Sequence, residues 1–296
     1  MVTPPSIPGW LHALYPFAPC SFITPAGARL SYLDEGPRGG EAVMMLHGNP
    51  TWSFFYRNLV HALAPAVRCI VPDHIGMGLS DKPQDYAYTL ATRIADIEAL
   101  VVSLGLRKVH LVVHDWGGAI GFGFATRHPE MIGRIVILNT AAFPSPRLPL
   151  RIALCRWTLT GKWLVRGLNG FAGPATWMAM HARRLSFEEE RAYLFPYDSW
   201  RNRIAVHQFV RDIPMEPTHP SRAMLEEIAV RLPLLAGHPK LIVWGGRDFC
   251  FNGGFLERWR QVYPTASVQL LPEAGHYVLD DAPGVIGDYI KPFFAA

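Results

Sequence analysis

Val112-Val113-His114-Asp115-Trp116-Gly117-Gly118-Ala119-Ile120-Gly121 reads as the end of a buried strand, a sharp turn, and the small-residue start of a helix. A strand-turn-helix of this kind carries a serine nucleophile in many hydrolases, within a Gly-x-Ser-x-Gly frame. Here Asp115 stands where the serine would be, and Val113 replaces the first glycine. Ordinary serine hydrolysis is therefore excluded. A carboxylate at the apex of such a turn points to chemistry that passes through an ester on the enzyme.

Outward from that turn, apolar runs of strand length alternate with longer stretches of helical period. The strands are expected at Ala42 to Leu46, Cys69 to Pro72, Val109 to Val113, Ile135 to Leu138, Leu241 to Trp244 and Val268 to Leu271. Residues 20 to 35 read as an opening antiparallel hairpin turning at Pro25-Ala26-Gly27. Leu90, Ile94, Ile97 and Leu100 lie on one face of an amphipathic helix over 89–100. Repeated βα units predict an α/β protein: a mostly parallel sheet flanked by helices on both faces. From Phe143 to about Leu232 the strand rhythm stops and Trp, Leu, Arg, Met and Pro dominate. This predicts a helical cap inserted after the sixth strand, with core segments 1–142 and 233–296 on either side of a cap at 143–232. In open parallel sheets ligands bind beyond the carboxyl ends of the strands, so a cap there would enclose the site.

The 296 residues are 50% hydrophobic, 12% aromatic and only 18% charged, enough apolar material for a large core and an apolar cavity. The net charge of +4 comes from 28 basic and 24 acidic residues without basic runs, so no nucleic-acid footprint is present. Cys20, Cys69, Cys155 and Cys250 have no metal-ligand spacing and read as reduced core thiols, which predicts a cytoplasmic protein. The first ten residues lack the basic region and apolar run of a signal peptide, and no stretch is long enough for a membrane span. Residues 7–17 could touch a membrane or a partner; packing of Trp10, Leu11 and Leu14 on the domain is the simpler expectation.

Polar clusters follow the predicted strands at their carboxyl ends: His47-Gly48-Asn49-Pro50, His114-Asp115-Trp116-Gly117 and Arg247-Asp248, with Gly275-His276 after the last strand. Alone, each aspartate reads as a turn or helix cap and each histidine as a satisfied core residue. The ordered set reads differently, because nucleophile, acid and histidine follow one another as in an α/β-hydrolase triad. Asp115 would attack, His276 would be the base, and Asp248 would hold the imidazole. His47 is expected to brace its own turn and His114 to bond backbone near the nucleophile. Asp73 to Pro83 is glycine-rich but lacks the phosphate-binding spacings, so loop packing explains it. No metal and no cofactor are implied.

Together, His47-Gly48-Asn49-Pro50-Thr51-Trp52-Ser53, Asp73 through Pro83, His114-Asp115-Trp116-Gly117-Gly118, Asp248 and His276 resemble the haloalkane dehalogenase family of α/β-hydrolases across nearly the whole chain. That resemblance implies that Asn49 and Trp116 hold the leaving anion and that their backbone N–H groups form an oxyanion hole. One branch of the family carries a glutamate where this chain has Asn139, so the acid is expected at Asp248. Asn49 with Trp116 and a late aspartate resembles the third branch, as do Arg247-Asp248-Phe249-Cys250-Phe251 and Tyr15-Pro16-Phe17-Ala18-Pro19. This branch includes enzymes of olefin biosynthesis that decarboxylate long-chain β-lactones to cis-alkenes, and some of its members assemble with other enzymes of that route. The implied partner is a small apolar substrate, and Trp157, Leu164, Phe171, Trp177 and Met178 of the cap could line a tunnel for it, with plain core packing the simpler expectation. Haloalkane hydrolysis is the alternative activity. Epoxide hydrolysis, using Tyr193 and Tyr197 as a pair on one helix face, ranks third. An inactive ligand-binding protein on the same fold is the non-enzymatic alternative.

Overall fold

A computed structural model describes residues 7–157 and 159–295. Eight strands form one sheet: β1 (Cys20–Ile23), β2 (Arg29–Glu35), β3 (Glu41–Leu46), β4 (Cys69–Pro72), β5 (Lys108–Asp115), β6 (Ile132–Thr140), β7 (Lys240–Gly245) and β8 (Ser267–Leu271). Their order is β1-β2-β4-β3-β5-β6-β7-β8. The β1–β2 and β2–β4 pairs are antiparallel and every later pair is parallel. The opening hairpin turns at Gly27, whose φ of 80° suits a residue without a Cβ.

The central strands are buried on both sides, and their residues alternate between two apolar cores. Met44, Leu46, Leu111, Val113, Ile135 and Ile137 face one core. Val43, Met45, Val112, Val136 and Leu138 face the other. Strict alternation within an unbroken apolar run is what a doubly covered parallel sheet requires. Helices α1 (Arg57–Leu63), α2 (Leu90–Ser103) and α3 (Trp116–Ala125) follow β3, β4 and β5. Thr89 caps α2, its hydroxyl accepting from Thr92 N at 3.3 Å, so the helix begins at Leu90 rather than 89.

Between β6 and β7 the chain is helical, with α4 (Leu150–Arg156), α5 (Thr160–Lys162), α6 (Ala172–Met178), α7 (Phe187–Leu194), α8 (Ile204–Arg211) and α9 (Pro220–Arg231). The remaining helices are α10 (Gly253–Val262), α11 (Val278–Asp281) and α12 (Lys291–Ala295). No helix among the described residues is long and apolar enough to cross a membrane. At the amino-terminal end Leu11 is fully buried, while Trp10 packs edge-on against Phe195 and under Arg191.

Two adjacent carboxylates on α11 tie the inserted helices to the core. Arg57 on α1 reaches Asp280 at 2.8 Å and Glu189 on α7 at 2.9 Å, and the Tyr193 hydroxyl donates to Asp280. Asp281 accepts N–H bonds from His181, Ala182 and Arg183 of the insertion at 2.8, 3.1 and 2.9 Å, and from Gly275 at 2.6 Å. Arg57→Ala removes the nearer cation of buried Asp280 and leaves only Arg183, at 3.8 Å. It is expected to cost about 3–5 kcal/mol of stability, measured by urea unfolding; a change below about 1 kcal/mol would show that the network carries no weight.

Candidate active site

Asp115 is the last residue of β5 and turns the chain into α3 with φ 51° and ψ −128°. This backbone is strained for a residue with a side chain, and it lifts the carboxylate above the sheet edge. The turn closes only because its neighbours are glycines. A Cβ on Gly117 would collide with the Leu46 carbonyl, one on Gly118 with the Thr140 side chain, and one on Gly48 with the Asp115 carboxylate itself. The Thr140 hydroxyl donates to the Asp115 carbonyl, fixing the turn from β6.

The carboxylate is buried, and its two oxygens have different surroundings. Oδ1 accepts the Asn49 backbone N–H at 2.7 Å, and the Trp116 N–H also bonds the carboxylate. Oδ2 lies 3.6 Å from His276 Nε2. Burial raises the Asp115 pKa, while His276 and the N–H groups of Asn49 and Trp116 oppose that rise. On its other side, His276 Nδ1 donates to Asp248 Oδ2 at 2.7 Å. Asp248 Oδ1 in turn accepts the N–H groups of Cys250 and Phe251 at 2.7 and 3.1 Å. Burial alone would discharge His276, but attraction to Asp248, their hydrogen bond and the nearby Asp115 outweigh it and raise its pKa. The ring of Phe251 stacks on the imidazole at 5.7 Å.

Sequence spacing therefore brings Asp115, Asp248 and His276 into one chain of contacts, with Asn49 and Trp116 at the same point. The Asn49 side-chain amide donates one hydrogen to the Val206 carbonyl at 3.0 Å, leaving the other for a ligand. The Trp116 indole packs 5.6 Å from Phe209, and the Arg93 guanidinium lies 3.6 Å over that same Phe209 ring. Arg93, paired with Asp212 at 3.0 Å, puts a buried cation behind the Trp116 and Phe209 rings. The apolar stripe of α2 does not by itself single out Arg93; the signal is its spacing, three residues after Leu90 and four before Ile97, which puts an arginine on the buried face.

Other histidines serve structure. His47 Nδ1 donates to Gly48 O at 2.8 Å and its Nε2 accepts from His74 N at 3.2 Å; burial lowers its pKa to about 4. His114 Nε2 donates to the His276 carbonyl at 2.9 Å. Asn139 clips β6 to β7, exchanging two bonds with Gly245 at 3.0 and 2.8 Å. Asp73 accepts from Ser53 N at 2.7 Å and Leu79 N at 2.8 Å, which makes its loop a packing element.

Asp115, Trp116, Asn49 and His276 form the floor of a largely apolar cavity of about 290 Å³. Phe171 and Met178 of the insertion line it, rather than packing as plain core. Trp157 and Trp177 do not: both are 58% exposed, because their helices turn other faces inward. Leu164 packs on the core outside the lining. Tyr193 and Tyr197 also lie outside it, their hydroxyls engaged by Asp280 and the Thr51 carbonyl, so this tyrosine pair does not face Asp115.

A family model described as alpha/beta hydrolase fold matches residues 41–283. The chain is 48% identical over 289 residues to a cis-3-alkyl-4-alkyloxetan-2-one decarboxylase of Shewanella oneidensis, covering 96% of this chain and 90% of the relative. It is 45% identical over 290 residues to the protein of the same name from Xanthomonas campestris pv. campestris, covering 94% and 96%. The crystal structure of haloalkane dehalogenase DbeA from Bradyrhizobium elkani USDA94 superposes with a TM-score of 0.85 at 26% identity, covering 94% of this chain and 98% of that one.

The arrangement around His276 makes a measurable claim. Followed by NMR, His276 should titrate above the ordinary imidazole value of about 6.5, and Asp248→Asn should bring the midpoint down by more than about one unit. A wild-type midpoint at or below that value would contradict the ion pair.

Proposed function

The chain belongs to the alpha/beta hydrolase fold family, among the cis-3-alkyl-4-alkyloxetan-2-one decarboxylases and with haloalkane dehalogenases as more distant relatives, and on that premise we propose that Asp115 opens a long-chain β-lactone and releases a cis-alkene and carbon dioxide. The observation that carries this reading is the inequality of the two Asp115 oxygens. Oδ1 accepts the Asn49 backbone N–H, whereas Oδ2 faces His276 at 3.6 Å, so Oδ2 is the oxygen placed to attack.

Oδ2 displaces the ring oxygen from the ring carbon that bears it, forming an alkyl ester and freeing a carboxylate. Trp116 and Asn49 hold that carboxylate through their side-chain N–H groups, where a dehalogenase would hold halide. Their backbone N–H groups stay on the ester carbonyl oxygen. The bond from the substrate carboxylate to its α-carbon then breaks, its electron pair forms the alkene, and the ester C–O bond returns its pair to Asp115. Atoms and charge balance with no water and no net proton. Attack inverts the ring carbon and anti fragmentation restores the relationship, so a cis-lactone yields a cis-alkene. His276 and Asp248 steady the carboxylate as it is regenerated.

A completed His276–Asp248 pair is also what ester hydrolysis needs, and this favours haloalkane hydrolysis as the second reading. The 48% and 45% identities favour the lactone. Four free cysteines fit a reducing, cytoplasmic setting. The reading also places the protein in olefin biosynthesis, in an assembly with the other enzymes of that route.

Asp115→Ala should lower alkene formation from a cis-β-lactone by more than about a thousandfold with an unchanged circular dichroism spectrum; wild-type turnover in that variant would overturn the mechanism. Turnover in ¹⁸O-water separates the two readings. Lactone decarboxylation leaves the Asp115 peptide unlabelled, whereas a bromoalkane hydrolysed through the ester places ¹⁸O in that carboxylate. Labelling during alkene formation would require water in the cycle and refute the fragmentation.

A further inference from the structure

The segment from Arg147 to Leu168 has two unlike sides. On its inner side, Ile152 and Cys155 of α4 line the active-site cavity. On its outer side Leu150 is 73% exposed, Trp157 58%, Leu159 75%, Trp163 66% and Leu168 79%. So many large apolar groups within one short stretch exceed the scattered exposure normal for a surface.

Cations accompany them. Arg147 and Arg151 are exposed at the rim of the cavity, among its lining, and Lys162 is exposed on α5; none of the three makes an ion pair among the described residues, whereas Arg156 is paired with Glu216. No aspartate or glutamate occurs anywhere between Glu130 and Glu188. Facing a second copy across this surface would set cations against cations, so a symmetric dimer is disfavoured. Aromatic and leucine side chains among unpaired Arg and Lys suit the headgroup boundary of an anionic bilayer, where each cation adds roughly fivefold to binding.

We propose that this outer face of α4, α5 and the turn after it docks the protein on an anionic phospholipid membrane, with the cavity mouth at the lipid surface. A long-chain lactone, sparingly soluble in water, then passes from the bilayer along the inner face of α4 to Asp115, and the alkene returns the same way. The docking stands on the surface alone; its purpose rests on the lactone reading.

The test is co-sedimentation of the full chain with vesicles of phosphatidylcholine, with and without phosphatidylglycerol. Wild type should bind the anionic vesicles at least about tenfold more tightly than the neutral ones. The triple variant L150S/W157S/L159S, none of whose positions lines the cavity, should lose about tenfold or more of that binding while keeping its turnover of a short, water-soluble β-lactone. Absence of wild-type binding, or equal binding by the variant, overturns the proposal. Self-association that the triple substitution abolishes would overturn it in favour of a contact between copies. Should the variant fail to fold, Trp157→Phe serves: tryptophan quenching by brominated lipid should be present in wild type and smaller in this variant, and its absence from wild type refutes docking. If the soluble lactone is not turned over by either protein, the lactone reading falls while the sedimentation result still judges the docking.

Discussion

A buried carboxylate at the tip of a strained turn constrains everything around it. Compensation is electrostatic and comes from the backbone: the Asn49 N–H meets Oδ1 of Asp115 at 2.7 Å, and the Trp116 N–H also bonds the carboxylate. For both to reach it, the carboxyl ends of β3 and β5 must be neighbours, which the parallel pairing of Leu46 with Val113 secures. The approach also needs glycine at 48, 117 and 118, since a side chain at any of these would occupy the space of the carboxylate, of the Leu46 carbonyl or of Thr140. Fold and chemistry meet in the same few ångströms.

Much of this was legible because it is local. Apolar runs announced the strands, and the order of polar residues at their ends announced where Asp115, Asp248 and His276 would meet. Asn139 shows how a single position can be read both ways. It cannot ionise, so the acid was sought at Asp248, and in space its amide joins β6 to β7. What stayed hidden depends on contacts between segments far apart in the chain. Arg93 reaches Phe209, Thr140 holds the Asp115 carbonyl, and Asp281 gathers N–H groups from residues about a hundred positions away. The inserted helices are the hardest to read, since Trp157 and Trp177 read as core, with tunnel lining the second possibility, and are exposed. A short helix of mixed composition does not declare which side meets solvent until its neighbours are placed.

The same insertion illustrates how one helix can hold two opposed requirements. Its inward face must be apolar for substrate, so its sequence cannot afford the usual polar relief there. The outward face of α4 exposes Leu150 and Leu154 beside Arg151, a departure from the polar relief usual where a helix meets water.

Asp281 has one more consequence. A single carboxylate grips both the 181–183 stretch of the insertion and Gly275, the residue before His276, and Tyr277 N adds a bond to the Ala179 carbonyl at 3.0 Å. Roof and base are thus one mechanical part. Lifting the roof like a hinge would carry His276 off Asp248 and disassemble the reaction centre at every opening. Motion elsewhere in the insertion that spares these bonds leaves the reaction centre assembled, so the 179–183 stretch is the part of the roof whose place is tied to that of His276.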